Sequence, residues 1–345
     1  MPASPIHLSG REVRIHKASL YPKFSDQTVL TSDFWKYVEL WLRRKKSKDA
    51  IFYWSQAQNF YKASGGLNDI SAPLTLYYCF LNAVKALLEC HGVPASPYHG
   101  TSGQSTTKNA TLTGEKVIFR SKGIAPALGK LLNDTDTRSE YTLKQLLYNL
   151  VFVHRAFVLT FPKEPEMFVP LRSTVYVRKN GGTETWLQLE ADQKFDSSII
   201  DSNIPLGFER DTFVGPNILR TKKRFKWLDG ADYQDANLRR IATYNTRYRS
   251  NLVYIRGKPP SWYLKLPGVS RNSIARSGLS MMLAAMHRLS ELSRYDPLRL
   301  NLLLVTEQNW LISEFIGSAP IQFLEEIATE ITGQNLATPF VRSSR

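Results

Sequence analysis

Three groups of residues in this 345-residue chain have types and spacing suited to chemistry. His287, Glu291 and Arg294 fall at i, i+4 and i+7, one face of a helix, where a carboxylate can orient an imidazole and a guanidinium can meet an anion. That set suits general acid–base work on a phosphodiester, and it equally describes an intrahelical ladder of charges. His154 and Arg155 offer the same residue types, but Asn149 lies five positions before His154, so the three do not share a helical face. A second group is the stripe Tyr78, Asn82, Lys85 and Glu89 at i, i+4, i+7 and i+11. It runs along an otherwise apolar helix, so its lysine and asparagine must find partners or water. The expected arrangement is a core polar network of Tyr78, Asn82, Lys85, His99 and Asn149, with the stripe tying the helix to the loop around His99.

The third group is a basic block. Between Arg220 and Lys265 there are twelve Lys or Arg residues against three acids, a net of +9. Arg220, Lys222, Lys223, Arg224, Lys226, Arg239, Arg240, Arg247 and Arg249 are interleaved with Trp227 and several tyrosines. Cations for phosphates and flat rings for bases are the mixture that single-stranded nucleic acid binding uses. The same letters also describe a solvated face whose aromatics belong to a core. The whole chain carries +15, which favours a polyanionic partner.

Other chemistries lack their motifs. No GxSxG, HExxH, GxGxxG or P-loop spacing occurs, and no Cys/His set has zinc spacing, so neither a cofactor nor a metal is expected. Cys79 and Cys90 stand eleven residues apart on one helix, roughly 16 Å along its axis, too far to bridge. They read as thiols in a reducing cytoplasm. With no signal-peptide core in the first 30 residues and no apolar run of spanning length, the expectation is a cytoplasmic protein without membrane contact.

The elements that must position these groups follow from periodicity. Residues 1–30 read as a short-stranded lead-in. Helices are predicted over 34–46, 49–63 and 71–92, the last opened by Ser71 and Pro73 and closed by Gly92. Residues 91–122 read as a polar loop with one short strand near 116–120. Helices return over 126–132 and 142–157. A hairpin of 169–179 and 184–190 turns at Asn180-Gly181-Gly182, and strand-like groups at 199–228, 252–255 and 262–266 follow. The end is helical again, over 273–295 and 309–332, with the latter divided into two helices at Ser318-Ala319-Pro320. The predicted fold is α+β, mainly a helical bundle formed by the N- and C-terminal helices. Its parts are a lead-in (1–30), a first helical part (31–162), a β-rich basic insertion (163–268) and C-terminal helices packing on the core (269–345).

The run Pro73-Leu-Thr-Leu-Tyr-Tyr-Cys-Phe-Leu-Asn-Ala-Val-Lys-Ala86, with His99-Gly100, Leu147-Tyr-Asn-Leu-Val-Phe-Val-His-Arg155, Leu292-Ser-Arg-Tyr-Asp-Pro297 and Asn309-Trp-Leu-Ile-Ser-Glu-Phe315, resembles the bacterial YaaC-like family. The same Tyr77-Tyr78 helix is similar to that of HEPN-type proteins, helical bundles found in RNA-cleaving toxins and phage-defence systems. The resemblance implies a metal-independent ribonuclease with an arginine a few residues before a histidine on a late helix. Here Asn149 stands where that arginine would precede His154, and Arg11 precedes His16 ahead of the bundle. A HEPN-like scaffold that binds nucleic acid without cutting it fits these letters. Three functions are therefore carried forward: an RNA or single-strand binding protein with a place in phage defence, a metal-independent ribonuclease, and an interaction subunit docking a partner protein. Homo-oligomerisation is compatible with each.

Overall fold

A computed structural model describes residues 2–94, 96–257 and 261–338. The chain opens with short strands β1 (Ala3–Pro5), β2 (His7–Leu8), β3 (Arg11–Glu12) and β4 (Val29–Leu30), then helices α1 (Phe34–Arg44), α2 (Lys48–Ser64) and α3 (Ala72–Cys90). Next come β5 (Thr101–Ser105), β6 (Glu115–Phe119), α4 (Ile124–Leu131), β7 (Glu140–Thr142), α5 (Leu143–Tyr148) and α6 (His154–Thr160). Strands β8 (Phe168–Lys179), β9 (Glu184–Ala191), β10 (Phe208–Arg210), β11 (Ile218–Thr221) and β12 (Phe225–Lys226) precede helix α7 (Gln234–Tyr248) and strands β13 (Leu252–Ile255) and β14 (Ser261–Lys265). Helices α8 (Gly278–Tyr295), α9 (Pro297–Leu304) and α10 (Asn309–Thr332) and strand β15 (Leu336–Ala337) complete it.

The chain divides into two compact units. The sheet unit takes the described residues of Met1–Leu30, Pro165–Arg271 and Gly333–Arg345; the helix unit takes Thr31–Glu164 and Asn272–Thr332. With 45% helix and 19% strand, including a large curled antiparallel sheet, the fold is α+β and the expectation of a mainly helical bundle is overturned. The physical reason lies in the sheet unit, which builds its own core. Its eight-stranded sheet runs β10-β11-β9-β8-β14-β13, with β1 added to β8 and β12 to β9. One apolar cluster joins Val169, Tyr176, Leu187, Leu189, Leu219 and Leu264 of the strands to Ile241, Tyr244 and Tyr248 of α7. Helix α7 went unread in the sequence because Asn237 and Asn245 occupy two of its buried positions, diluting the apolar stripe.

In the helix unit α3 packs against α2, α4, α8 and α10. Twelve of its nineteen residues are buried, which is why its apolar letters cover most of the circumference. Phe80 stacks on Phe323 of α10 with ring centroids 3.9 Å apart. Helix α10 continues unbroken through Pro320, where two helices were expected. A proline inside a helix costs about 3 kcal/mol, and burial of Phe315, Ala319, Phe323, Leu324 and Ile327 around it offsets that cost. The expected helix over 142–157 is instead interrupted. Asn149 ends α5, its Nδ2 donating to the carbonyls of Gln145 and Asn272 and its Oδ1 accepting from Ile274 N at 2.9 Å. Strand β5 also escaped the periodicity, since its letters TSGQS carry no apolar alternation.

Candidate functional site

In the helix unit, α3, α8 and the loop before β5 bring five titratable side chains to one place. The Tyr77 hydroxyl lies 2.6 Å from His99 Nδ1. The His287 ring stands edge-on to Tyr77 at 4.8 Å and 5.5 Å from the ring of His99. Glu291, one turn along α8 from His287, places Oε1 3.9 Å from His287 Nδ1, beyond hydrogen-bond reach. Among the described residues His287 Nδ1 has no hydrogen-bond partner, although His287 is only 6% exposed. The carboxylate of Glu291 is instead held by Gly103 N at 3.1 Å and by Arg288 Nη1 at 3.0 Å.

Two supports set this geometry. The carbonyls of Tyr98 and His99 accept from Ile124 N and Ala125 N at the start of α4, which pins the loop that carries His99. Gly103 leaves room for the side chains of Glu291 and Arg288, since a Cβ there would fall 2.1 Å from Glu291 Oε2 and 2.3 Å from Arg288 Cδ and would have to displace them. Behind Glu291, Arg288 donates through Nε and Nη2 to Glu115 Oε2 at 3.1 and 2.6 Å. Arg299 donates to Glu115 Oε1 at 2.5 Å and to the carbonyls of Thr107, Lys108 and Asn109. Glu115 is wholly buried, so two guanidiniums hold one carboxylate and with it the polar loop of residues 106–114.

Electrostatics keep the imidazoles neutral. Burial, followed by the neighbouring His99 and Arg288, lowers His287 to about 3. His99 is lowered by burial and by Lys85, with Arg294 acting the same way and Glu291 opposing. Burial raises the Tyr77 hydroxyl above its usual range, with Tyr78 and Glu291 adding to it. Lys85 and Arg294 therefore both act on His99, and each also lies over a ring, Lys85 over Tyr53 and Arg294 over Tyr295.

The residues read from the sequence meet different fates. His99, His287 and Glu291 come together, while Lys85 and Arg294 lie over Tyr53 and Tyr295 and act on His99 through their charge. The partner of His99 is Tyr77, one position off the predicted stripe; Tyr78 stacks on Phe60 at 5.5 Å and its carbonyl accepts from Asn82. Asn149 clamps residues 272–274 as described above. His154 is buried beside Tyr148, lowered to about 4 by burial and Arg155, while Arg155 itself is exposed. Tyr77, Glu115, Arg288 and Arg299 were missed: Tyr77 reads as an apolar filler, and no local pattern announces a buried ion pair.

In the sheet unit the basic block splits into two kinds. Arg220 pairs across strands with Glu209 at 2.8 Å and Asp211 at 3.1 Å. Arg224 lies over the Trp186 ring at 4.5 Å, and Arg249 lies over Tyr254 and Trp262 while donating to the Lys17 carbonyl. Trp227 is in the core at 7% exposed, which takes its ring away from any stacking surface. Lys222, Lys223, Lys226, Arg239 and Arg247, by contrast, are exposed. Helix α7 turns Ile241, Tyr244 and Tyr248 inward, which leaves Arg239, Thr243 and Arg247 outward at i, i+4 and i+8. The same helix borders the turn after β11, since Tyr244 Oη donates to the Lys223 carbonyl and Arg240 Nη1 to the Lys226 carbonyl at 3.4 Å.

Among the described residues no group of three His, Cys, Asp or Glu side chains is placed to hold a metal ion, and no helix is long and apolar enough to cross a membrane. Cys79 and Cys90 are free. Fold and site together define a two-unit α+β protein with a cluster of imidazole, phenol and carboxylate groups on one unit and an exposed cationic face on the other. The YaaC-like protein family model matches residues 13–331, and the chain belongs to that family. No curated protein and no solved structure matches it.

Proposed function

We propose that this YaaC-like protein is a cytoplasmic nucleic-acid-binding protein that takes RNA or single strands on the cationic face of its sheet unit. The observation that carries the reading is the exposure of Lys222, Lys223, Lys226, Arg239 and Arg247 on a turn and a helix face that pack together. Long cations held at the surface of ordered elements track a phosphate backbone and release its counterions. Arg220, Arg224, Arg249 and Trp227 serve the unit's own packing and shape the surface from beneath. The HEPN-like kinship of the α3 helix and a place in phage defence belong to the same proposal, supported by the Tyr77-Tyr78 to Lys85 motif at the centre of the helix unit.

The test is a salt series of binding to labelled single-stranded RNA, duplex RNA and DNA. Affinity should fall steeply with salt, and replacing all five exposed cations by glutamine should flatten the slope by about 0.7 for each phosphate that is no longer neutralised. Absence of binding at low salt, or an unchanged slope in the variant, would overturn the reading in favour of an interaction subunit that docks a partner protein.

A further inference from the structure

We infer that the sheet unit carries a guanine pocket in which the Arg178–Asp229 ion pair meets the edge of the base. Strand β1, the end of β8 and the segment after β12 enclose a cavity of about 440 Å³, a size typical of small-molecule sites. Ile6 and Trp227 close its inner side, and both belong to the apolar cluster of that unit. Arg178 and Asp229 stand at its wall, with Arg178 Nη1 donating to Asp229 Oδ1 at 2.6 Å. The two side chains are 30% and 80% exposed, so the pair opens to solvent and is held weakly enough to rearrange around a ligand. Among the described residues neither forms another hydrogen bond, which leaves Arg178 Nε and Nη2 and Asp229 Oδ2 for that ligand. The backbone fixes both ends of the pair. Arg178 lies opposite Ser4 of β1 and Thr185 of β9, so its strand is paired on both sides. Asp229 follows Trp227, whose N donates to the Thr183 carbonyl at 2.9 Å, and Leu228, whose N and carbonyl both bond the Asn237 amide. Nothing in α3 or the imidazole cluster enters this pocket.

The ligand follows from the order of donors and acceptors. An arginine beside a carboxylate offers a block of donors next to a block of acceptors. Guanine presents the complement along one edge, with N7 and O6 accepting and then N1–H and the N2 amino group donating. Adenine places its N6 amino group between two acceptors, and uracil places N3–H between two carbonyls, so each meets the pair out of order. Cytosine gives the carboxylate one donor group where guanine gives two. The apolar side formed by Ile6 and Trp227 takes the ring, and Lys179, which also lines the cavity, offers a phosphate its cation. The same edge serves whether guanine comes in a free nucleotide or as an unpaired base of a strand. Lys226, one position before Trp227, belongs to the exposed cationic face, so a strand held on that face runs beside the pocket. The strand case rests on the binding proposed above, whereas the free nucleotide does not.

The experiment titrates the full chain with GMP, AMP, CMP and UMP by calorimetry. GMP should bind at least about 10-fold more tightly than the others. Asp229→Asn and Arg178→Gln should each lower GMP affinity by about 10-fold or more and bring the four nucleotides together. Both positions reach solvent, so these variants keep the fold, and Asp232→Asn, at an exposed acid of the same unit, should change nothing. In parallel, a labelled strand of A, C and U alone is compared with one that carries guanines. If a strand supplies the base, guanine raises affinity by about 10-fold in the parent but not in Asp229→Asn. The salt slope then stays the same, because the new contact is to a base and not to a phosphate. If a free nucleotide supplies it, GMP binds and the two strands bind alike. Equal or absent binding of the four nucleotides, or GMP affinity that survives both variants, would overturn the pocket. In that case a guanine-free strand that binds with a steep salt dependence leaves the cationic face standing, while GMP binding without strand binding does the reverse.

Discussion

The hydroxyl of Tyr77 on α3 lies 2.6 Å from Nδ1 of His99 in the loop before β5, and that bond joins a largely buried helix to an exposed imidazole. Tyr77→Phe removes the bond and leaves His99 free to find water. A loss of about 0.5–1.5 kcal/mol in urea unfolding is expected, with His99 gaining ring mobility by NMR.

Gly103 and Ser105 are points at which β5 meets α8. In Gly103→Ala the new Cβ would overlap both Glu291 Oε2 and Arg288 Cδ, so the Glu291 and Arg288 side chains must shift and strain their ion pairs with each other and with Glu115. Overpacking of this kind costs about 1–3 kcal/mol. Thermal unfolding measures it, and a variant as stable as the parent would show that the approach is looser than the structure has it.

Glu115 is a carboxylate shared by Arg288 and Arg299 with no exposure of its own. Glu115→Ala leaves the largely buried Arg299 with carbonyl partners alone and Arg288 with Glu291 as its one carboxylate, which costs about 3–5 kcal/mol. Residues 106–114 should then become susceptible to proteolysis, since Arg299 anchors the carbonyls of that loop. Limited digestion beside urea unfolding reads both effects.

Acid should destabilise the protein before its carboxylates titrate. His16 is lowered to about 3, His154 to about 4 and His287 to about 3, in each case first by burial. Each binds a proton near pH 6.5 when unfolded but not when folded, so the unfolded state holds more protons between those values. Above pH 6.5 the three contribute no pH dependence. Below it each costs about 1.4 kcal/mol per pH unit until its folded pKa is reached. The midpoint of urea unfolding should thus fall steadily from pH 6.5 to 4.5, and His287→Gln should reduce that slope.

In the sheet unit, core and surface roles separate cleanly. Trp227→Ala should cost about 3–5 kcal/mol, as expected for a buried aromatic ring. Lys226→Ala, at an exposed neighbour, should leave stability within about 0.5 kcal/mol and lower RNA affinity alone. Calorimetry and a binding titration on the same preparations distinguish the two.

Much of this was legible along the chain because it is local. The apolar circumference of α3 follows from helical spacing, the hairpin of β8 and β9 from alternation around Asn180-Gly181-Gly182, and the shared face of His287, Glu291 and Arg294 from i, i+4, i+7 geometry. Where the local signal was weak, it failed for stated reasons. Strand β5 has polar letters because it is held by backbone pairing to β6 and by Glu291, and α7 buries asparagines that bond the chain around His16 and Leu228.

The sequence by itself determined the cationic balance, the free cysteines, the helix at the centre and the family to which the chain belongs. Only the tertiary structure decided that the sheet has a core of its own, and that Arg220, Arg224 and Trp227 pack inward while their neighbours remain at the surface. It alone decided that Tyr77, His99 and His287, up to 210 positions apart, share one site. Periodicity reports which face of an element is buried. Which distant face it meets is settled by packing and by the pairing of buried charge, and those act between residues that no spacing rule connects.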